Sequence, residues 1–599
     1  MLKTYTTTLF ACLLLLSGCG KDATDSTKSD KDIFARVPAD TAFFFTNTED
    51  IDPDLNQFAW QQLIVPLRAG LESIINEPPF PDDVDQADVD QFMGMQKKLL
   101  AFLNDVETPQ QWQDKTGLSR QGQILIYAQE LFPVISLPVA DQAKLEALIL
   151  DAVDAVNLTA EVLEVDGTPV NTIHADDDDM PVKIYWHVAA GRFTMSTLPD
   201  AHAAAYLGQI FGAEYPALPM TTAAVEQMNQ QYGFANTGSG FIKPAAIYNV
   251  LADETTQTHA MLAELAANTD DDEDLQQILA FVDDPTCSTE MNDLLSRVPQ
   301  ISLGLTEFTS QVYNTRIVTA LDQRSQELVQ AMLGDAPIGN DPGGLFNLAM
   351  NVSVGKSIKA MRSLAETALA DPFKCDGLQN LNATAQELLD AANTPIPPFI
   401  GNMTGFAMQI ADIGSVNFSD DNFDLASMLD KLDSSFALYT DNAEMLLGMG
   451  QMFLPQLNGV DLQPGAEPQP IDVPDMGMLS QPVYAALTET AIGVSYGASS
   501  TAGLSALLQG SKIMPDALLT AGIDAKRYSQ LVNDTLQQAL AMESIDETDD
   551  PEAYRDLQRT REMIKNNLKY SENLGQNFTT VRITADGLVL DTRQDYELN

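Results

Sequence analysis

The chain has 599 residues, 45% of them apolar, and sets 85 aspartates and glutamates against 32 lysines and arginines, for a net charge of −53. That length can fill more than one core at about 100–200 residues per domain. A field of this sign repels phosphate, which argues against nucleic acid and against anionic lipid headgroups as partners.

In chain order, the first signal is Met1-Leu2-Lys3, an apolar run over residues 9–16, and then Leu16-Ser17-Gly18-Cys19. A cationic start, a short apolar segment and two small residues before a thiol have the order of a lipoprotein signal peptide ending in a lipobox. The run is far short of the roughly 20 residues that cross a bilayer as a helix. Residues 1–18 therefore read as a cleaved signal and Cys19 as the lipidated residue. Acyl chains such as palmitate hold a membrane at about 0.8 kcal/mol per buried methylene. Residues 19–33, from Gly20-Lys21-Asp22 onward, are polar and read as a flexible acidic tether.

After the tether, Val37-Pro38-Ala39-Asp40-Thr41 leads into an aromatic-rich strand at Phe43-Phe44-Phe45. Helical spacing covers residues 53–76 and 85–106. Thr108-Pro109-Gln110-Gln111 is a capping box with proline at the first helical position, and Gly117 is its stop. Strands are expected at 123–127 and 134–137, a helix from Asp141, and strands over 161–173 and 181–197.

From there the chain echoes itself. Leu137 through Asp141-Gln142-Ala143 returns as Leu438 through Asp441-Asn442-Ala443, and Pro181-Val182 through Phe193-Thr194-Met195 returns as Pro482-Val483 through Val494-Ser495-Tyr496. Each half also ends in a two-strand pattern, over 301–319 and 578–591, the second joined by the tight-turn pair Asp586-Gly587. The expected fold class is α+β: two related halves of antiparallel sheet packed with helices, helix exceeding strand. The halves are placed at 34–321 and 395–599. Residues 322–394, up to Thr394-Pro395, form a helical connecting region between them, and helices near 525–545 and 551–570 precede the final hairpin.

Four cysteines are present. Cys12 leaves with the signal and Cys19 is acylated, so Cys287 and Cys375 remain as a disulfide in an oxidising compartment. Both follow Asp-Pro pairs and are expected in loops. A bridge closing so long a loop contributes at most about 4–5 kcal/mol in the chain-entropy treatment, less where it is strained.

Catalytic motifs are incomplete. Gly493-Val494-Ser495-Tyr496-Gly497 has the form G-x-S-x-G, but His174, His187, His202 and His259 all precede it, so the later histidine of an α/β-hydrolase triad is missing. Gly355-Lys356-Ser357 lacks the glycine of a phosphate loop, since Met350 stands in its place. Acidic runs, above all Asp176, Asp177, Asp178 and Asp179 beside His174, offer oxygen ligands to a divalent cation without matching an EF-hand. The helix-spaced Met445, Met449 and Met452 read as a packed face. No cofactor is implied.

From Val37-Pro38-Ala39-Asp40-Thr41 onward, the layout resembles large bacterial lipoproteins with duplicated α+β domains of unknown function. That resemblance implies location and architecture but transfers no active site. With Gly20 after the lipidated cysteine, resemblance to Gram-negative lipoproteins implies an outer-membrane anchor facing the periplasm or the cell surface. The expected role is non-enzymatic: the membrane is engaged through the anchor on Cys19, and the body binds another envelope component, envelope proteins being the candidate partners. Two alternatives stand beside it. One is a soluble-ligand or divalent-cation binder with a pocket between the halves, and the other is an acid/base enzyme using paired carboxylates.

Overall fold

Local chemistry sets the first elements. The side chain of Thr108 accepts from the backbone of Gln111, Gln111 answers to the Thr108 amide, Pro109 opens the helix and Gly117 ends it at φ 74°. The computed structural model describes residues 33–597, apart from 51–59, 61–63, 66, 73, 76–85, 156–157, 175–181, 269–272, 340–342, 414–416, 420–421, 425–429, 454–460, 466, 472–479, 498–499, 510–513, 543–556, 559 and 562–572. Among the described residues helix exceeds strand, 44% against 31%, in a mixed α+β fold with antiparallel sheet. No described helix is long and apolar enough to cross a membrane. The chain divides into two units, Met1–Ser310 and Gln311–Asn599.

The strands of the first unit are β1 (Phe43–Thr46), β2 (Leu125–Gln129), β3 (Phe132–Pro138), β4 (Thr159–Val165), β5 (Thr168–His174), β6 (Val182–Ala189), β7 (Arg192–Pro199), β8 (Ser239–Ile242) and β9 (Ile301–Phe308). They pair antiparallel in the order β9-β8-β1-β2-β3-β7-β6-β5-β4. Its helices are α1 (Gln86–Asn104), α2 (Pro109–Thr116), α3 (Gln142–Ala155), α4 (Ala204–Ile210), α5 (Thr222–Tyr232), α6 (Pro244–Ala252), α7 (Gln257–Asn268), α8 (Glu273–Asp283) and α9 (Pro285–Ser296). The stretches 161–173 and 181–197, expected as single strands, each fold back as a hairpin. Asp166-Gly167 and Ala190-Gly191 all take positive φ, as a two-residue type I′ turn requires.

The second unit holds β10 (Val312–Thr319), β11 (Phe346–Met350), β12 (Met403–Asp412), the small pair β13 (Asn417–Ser419) and β14 (Asn422–Asp424), β15 (Asp433–Thr440), β16 (Gln469–Ile471), β17 (Val483–Leu487), β18 (Ala491–Tyr496), β19 (Ala517–Asp524), β20 (Leu574–Thr584) and β21 (Gly587–Tyr596). Its main sheet runs β10-β21-β20-β19-β11-β12-β15-β18-β17-β16, again antiparallel throughout. The helices are α10 (Gln323–Gln330), α11 (Val354–Ala370), α12 (Gln379–Asn393), α13 (Pro398–Gly401), α14 (Ala443–Phe453), α15 (Ser500–Gln509) and α16 (Ala525–Met542). Arg316 on β10 lies 2.6 Å from the Asp591 carboxylate of β21, and Arg582 on β20 lies 2.7 Å from its other oxygen.

The two sheets are topological copies. Stripped of β4 in one and of β10 and β21 in the other, β9-β8-β1-β2-β3-β7-β6-β5 becomes β20-β19-β11-β12-β15-β18-β17-β16, with the strands used in the same chain order. The sequence echo falls on this correspondence, since β15 repeats β3, β17 repeats β6 and β18 repeats β7. Residues 322–394, read from sequence as a helical connection, lie inside the second unit and supply strand β11 of its sheet as well as helices. Phe346, Leu348 and Met350 alternate with Asn347 and Ala349, and the strand pairs on both sides with strands from distant sequence.

Candidate binding surface

In the first unit, cross-strand register lines up Ile126, Ile135, Met195 and Trp186 in one row and Leu137, Phe193 and Val188 in the next. These rows face a helical layer whose Trp60, Leu103, Trp112, Leu145 and Ile149 join them in one buried cluster. Trp60 and Trp112 meet at a tilt of 54° with centroids 5.3 Å apart, and Phe102 meets Trp112 edge-on at 5.8 Å. Leu137 is 0% exposed and Phe193 1%.

The equivalent rows of the second unit are Leu348, Met408, Phe436 and Val494, then Met350, Phe406, Leu438 and Ile492. Their chemistry is as apolar as in the first unit, yet Phe436 is 39% exposed and Val494 42%. Phe406 stacks on Phe436 at 6.3 Å with the rings 24° apart. Helix α14 packs on β15 and β18, and its Ala443 and Leu447 cluster with Leu487 and Ile492. Of the helix-spaced methionines expected as a packed face, Met445 and Met449 are half-buried, but Met452 is 79% exposed.

The opposite face of this sheet explains why the apolar side is left out. There the rows read Gln409, Ser435, Ser495 and Ala407, Ala437, Gly493, small or polar throughout. Helix α15 is pressed onto them: a methyl on Gly493 would fall 2.4 Å from Leu504 Cδ1, and one on Gly503 would fall 2.7 Å from Gln409 Oε1. Ser435 donates to the Ser500 carbonyl at 3.1 Å, and Tyr439 donates to that of Leu507 at 2.7 Å. Burial pushes the Tyr439 phenol far above its ordinary range. Of the glycines of the G-x-S-x-G stretch, Gly493 thus serves close helix–sheet approach, and Gly497 takes a φ of 114° against the backbone of Leu432 and Asp433. Ser495 stands mid-strand in β18, buried, with its Oγ unbonded, and every histidine belongs to the first unit.

At the end of these strands Asp412 and Asp433 sit directly across from each other. Burial, and then the charge of Asp412, raise the Asp433 carboxyl above its usual range. Arg527 reaches Asp412 at 3.1 Å and the Ala411 carbonyl at 3.2 Å.

The remaining sequence candidates are dispersed. Cys287 and Cys375 are both buried and disulfide-bonded, a disulfide-capable pair as expected. Cys287 lies in the first turn of α9 and not in a loop, because Asp284 caps that helix and Pro285 opens it. Cys19 and the acids Asp176, Asp177, Asp178 and Asp179 lie outside the described residues, as does the expected helix over 551–570 except near Leu557. Among the described residues no three metal-ligating side chains cluster. His187 Nδ1 meets the Pro169 carbonyl at 2.6 Å, His202 meets Gln257 and Glu264, and His259 meets the Leu251 carbonyl and Asp283. Gly355-Lys356-Ser357 opens α11, where Lys356 donates to the Leu333 carbonyl.

The first unit also carries two shallow clefts. One, of about 380 Å³, is lined by alanines of α7 and α8 with Asp283. The other, of about 270 Å³, is lined by Met220, Met228, Phe241 and Lys243. Burial lowers the Lys243 pKa, partly offset by Asp40, and its ammonium is already held by the Ala39 carbonyl at 3.0 Å over the Phe241 ring at 4.7 Å.

No family model matches the chain, and no curated protein matches it. Two solved structures show weak similarity, crystal forms I and III of TP0453. They are 12% identical, with TM-scores of 0.21 and 0.22, and cover 49% and 52% of this chain against 81% and 91% of their own.

Proposed function

We propose that this is a lipid-anchored envelope protein, held through Cys19 at the outer membrane, that binds another envelope protein on the open sheet face of its second unit. One observation carries the reading: the apolar rows sealed by helices in the first unit remain exposed at Phe436 and Val494 in the second, and Met452 on α14 is exposed as well. Fully burying side chains of this size is worth about 1.5–3 kcal/mol each, so a partner that covers them gains what the unit itself forgoes. A flat row of aromatic and branched side chains suits the apolar centre of a protein interface. The charge of −53 disfavours an anionic bilayer surface in that place.

A photoreactive phenylalanine analogue at position 436, in the membrane-anchored chain in its own envelope, tests this. Adducts to one protein are expected at 436, absent at a control position such as Asp376, and lost when Val494→Ser and Met452→Ser are added. Adducts to lipid alone, or none, overturn the reading.

A further inference from the structure

The edge of the first sheet offers a second surface that does not depend on the open face. Strand β4 pairs with β5 and, among the described residues, with no other strand. It is seven residues long and almost wholly exposed, with Val162 67% accessible and Leu163 beside it also exposed. Such an edge presents a row of backbone donors and acceptors, and proteins ordinarily blunt it with charged side chains, lysine above all, or with proline, a bulge or shortness. Thr159-Ala160-Glu161-Val162-Leu163-Glu164-Val165 has no proline, lysine or bulge, and its charges are the two acids Glu161 and Glu164. The corresponding edge in the second unit is blunted differently: β16 is three residues long and contains Pro470.

The exposed hairpin is also held in place. Asp166, in the turn at φ 52°, accepts from the Ala213 amide at 3.1 Å. His187 on β6 meets the Pro169 carbonyl of β5 at 2.6 Å. Ala160 packs against the buried cluster and anchors the start of the strand. A pre-shaped edge loses little freedom when it pairs.

We propose that β4 is a docking edge for an extended, basic segment of a partner protein, which adds as a further antiparallel strand. Main-chain hydrogen bonds supply the affinity of such strand addition, and alternate side chains supply the specificity. Val162 and Leu163 offer apolar contact on opposite faces of the hairpin, while Glu161 and Glu164 flank them with negative charge and no base stands in the strand. Lysine or arginine in the incoming segment meets those carboxylates. A second copy of this chain would bring the same acids to the same edge, and like charges across a strand pair are destabilising.

The test titrates a labelled short peptide alternating valine and lysine onto the full chain and reads fluorescence anisotropy. Saturable binding is expected, weakened about tenfold or more by Glu161→Lys with Glu164→Lys, and abolished by Val162→Pro. A peptide alternating valine and glutamate should not bind. Equal binding of both peptides, or indifference to both variants, overturns the proposal. So does self-association in sedimentation that Val162→Pro removes, since that makes a second copy the occupant. Should Val162→Pro lower the melting temperature, the charge-reversed variant, whose backbone is unaltered, decides the matter.

Discussion

The two units use the same strand order and differ in what they do with the same face. In the first, Leu137 and Phe193 lie beneath a layer containing Trp60 and Trp112 and are closed to water. In the second, Leu438 and Val494 hold the repeated positions, but burial has moved to the reverse side, where Gly493 and Gly503 let α15 sit close on a polar, small-residue surface.

Substitutions at repeated positions sharpen this contrast most. Leu137→Ala should cost about 2–5 kcal/mol of unfolding free energy, as cavity-forming changes in closed cores do. Phe436→Ala should cost about 1 kcal/mol or less, because its ring is already partly in water. Denaturant unfolding of the full chain reads both, and equal costs would break the comparison. Cys287 and Cys375 belong to neither repeated pattern, and reducing their disulfide chemistry should lose about 2–4 kcal/mol, measured by the same unfolding with and without reductant.

On the reverse face, Gly503→Leu should destabilise by about 1–3 kcal/mol through overpacking against Gln409 and Ser435. Thermal melting that is unchanged would mean α15 does not press on the sheet as described. The smallest effect belongs to Asp433. Its folded pKa is raised, so the folded state binds the proton more tightly than the unfolded one. Stability is therefore highest when the group is protonated and falls as pH rises through the window between the unfolded and the raised folded value. Asp433→Asn should raise the melting temperature at neutral pH, and the gain should vanish below the unfolded carboxylate pKa; a gain that persists there contradicts the sign.

How much of this was legible in sequence follows from where the causes lie. The cap of α2 is local and was complete in Thr108, Pro109, Gln111 and Gly117. The repeat was legible at Leu137 and Leu438 because strand–turn–helix junctions keep their small and apolar positions. The hairpin turn at Asp166-Gly167 carries the same tight-turn dipeptide as Asp586-Gly587, which marks 161–173 as two strands and not one. Strand β11 has a local signal in the alternation of Phe346, Leu348 and Met350, but it is only five residues long and its partners β12 and β19 lie far away in sequence. The open face has a related cause. Nothing in the residues around Phe436 and Val494 states which side of the sheet α15 takes, and its placement on the other side leaves them out.

The central claim is that one apolar face is closed and its copy open, and residue-resolved carbene footprinting of the full chain tests it most directly. Strong labelling of Phe436, Val494 and Met452 with protection of Leu137, Phe193 and Met195 is the predicted result. Protection of Phe436, Val494 and Met452 to the level of Phe193 would contradict it.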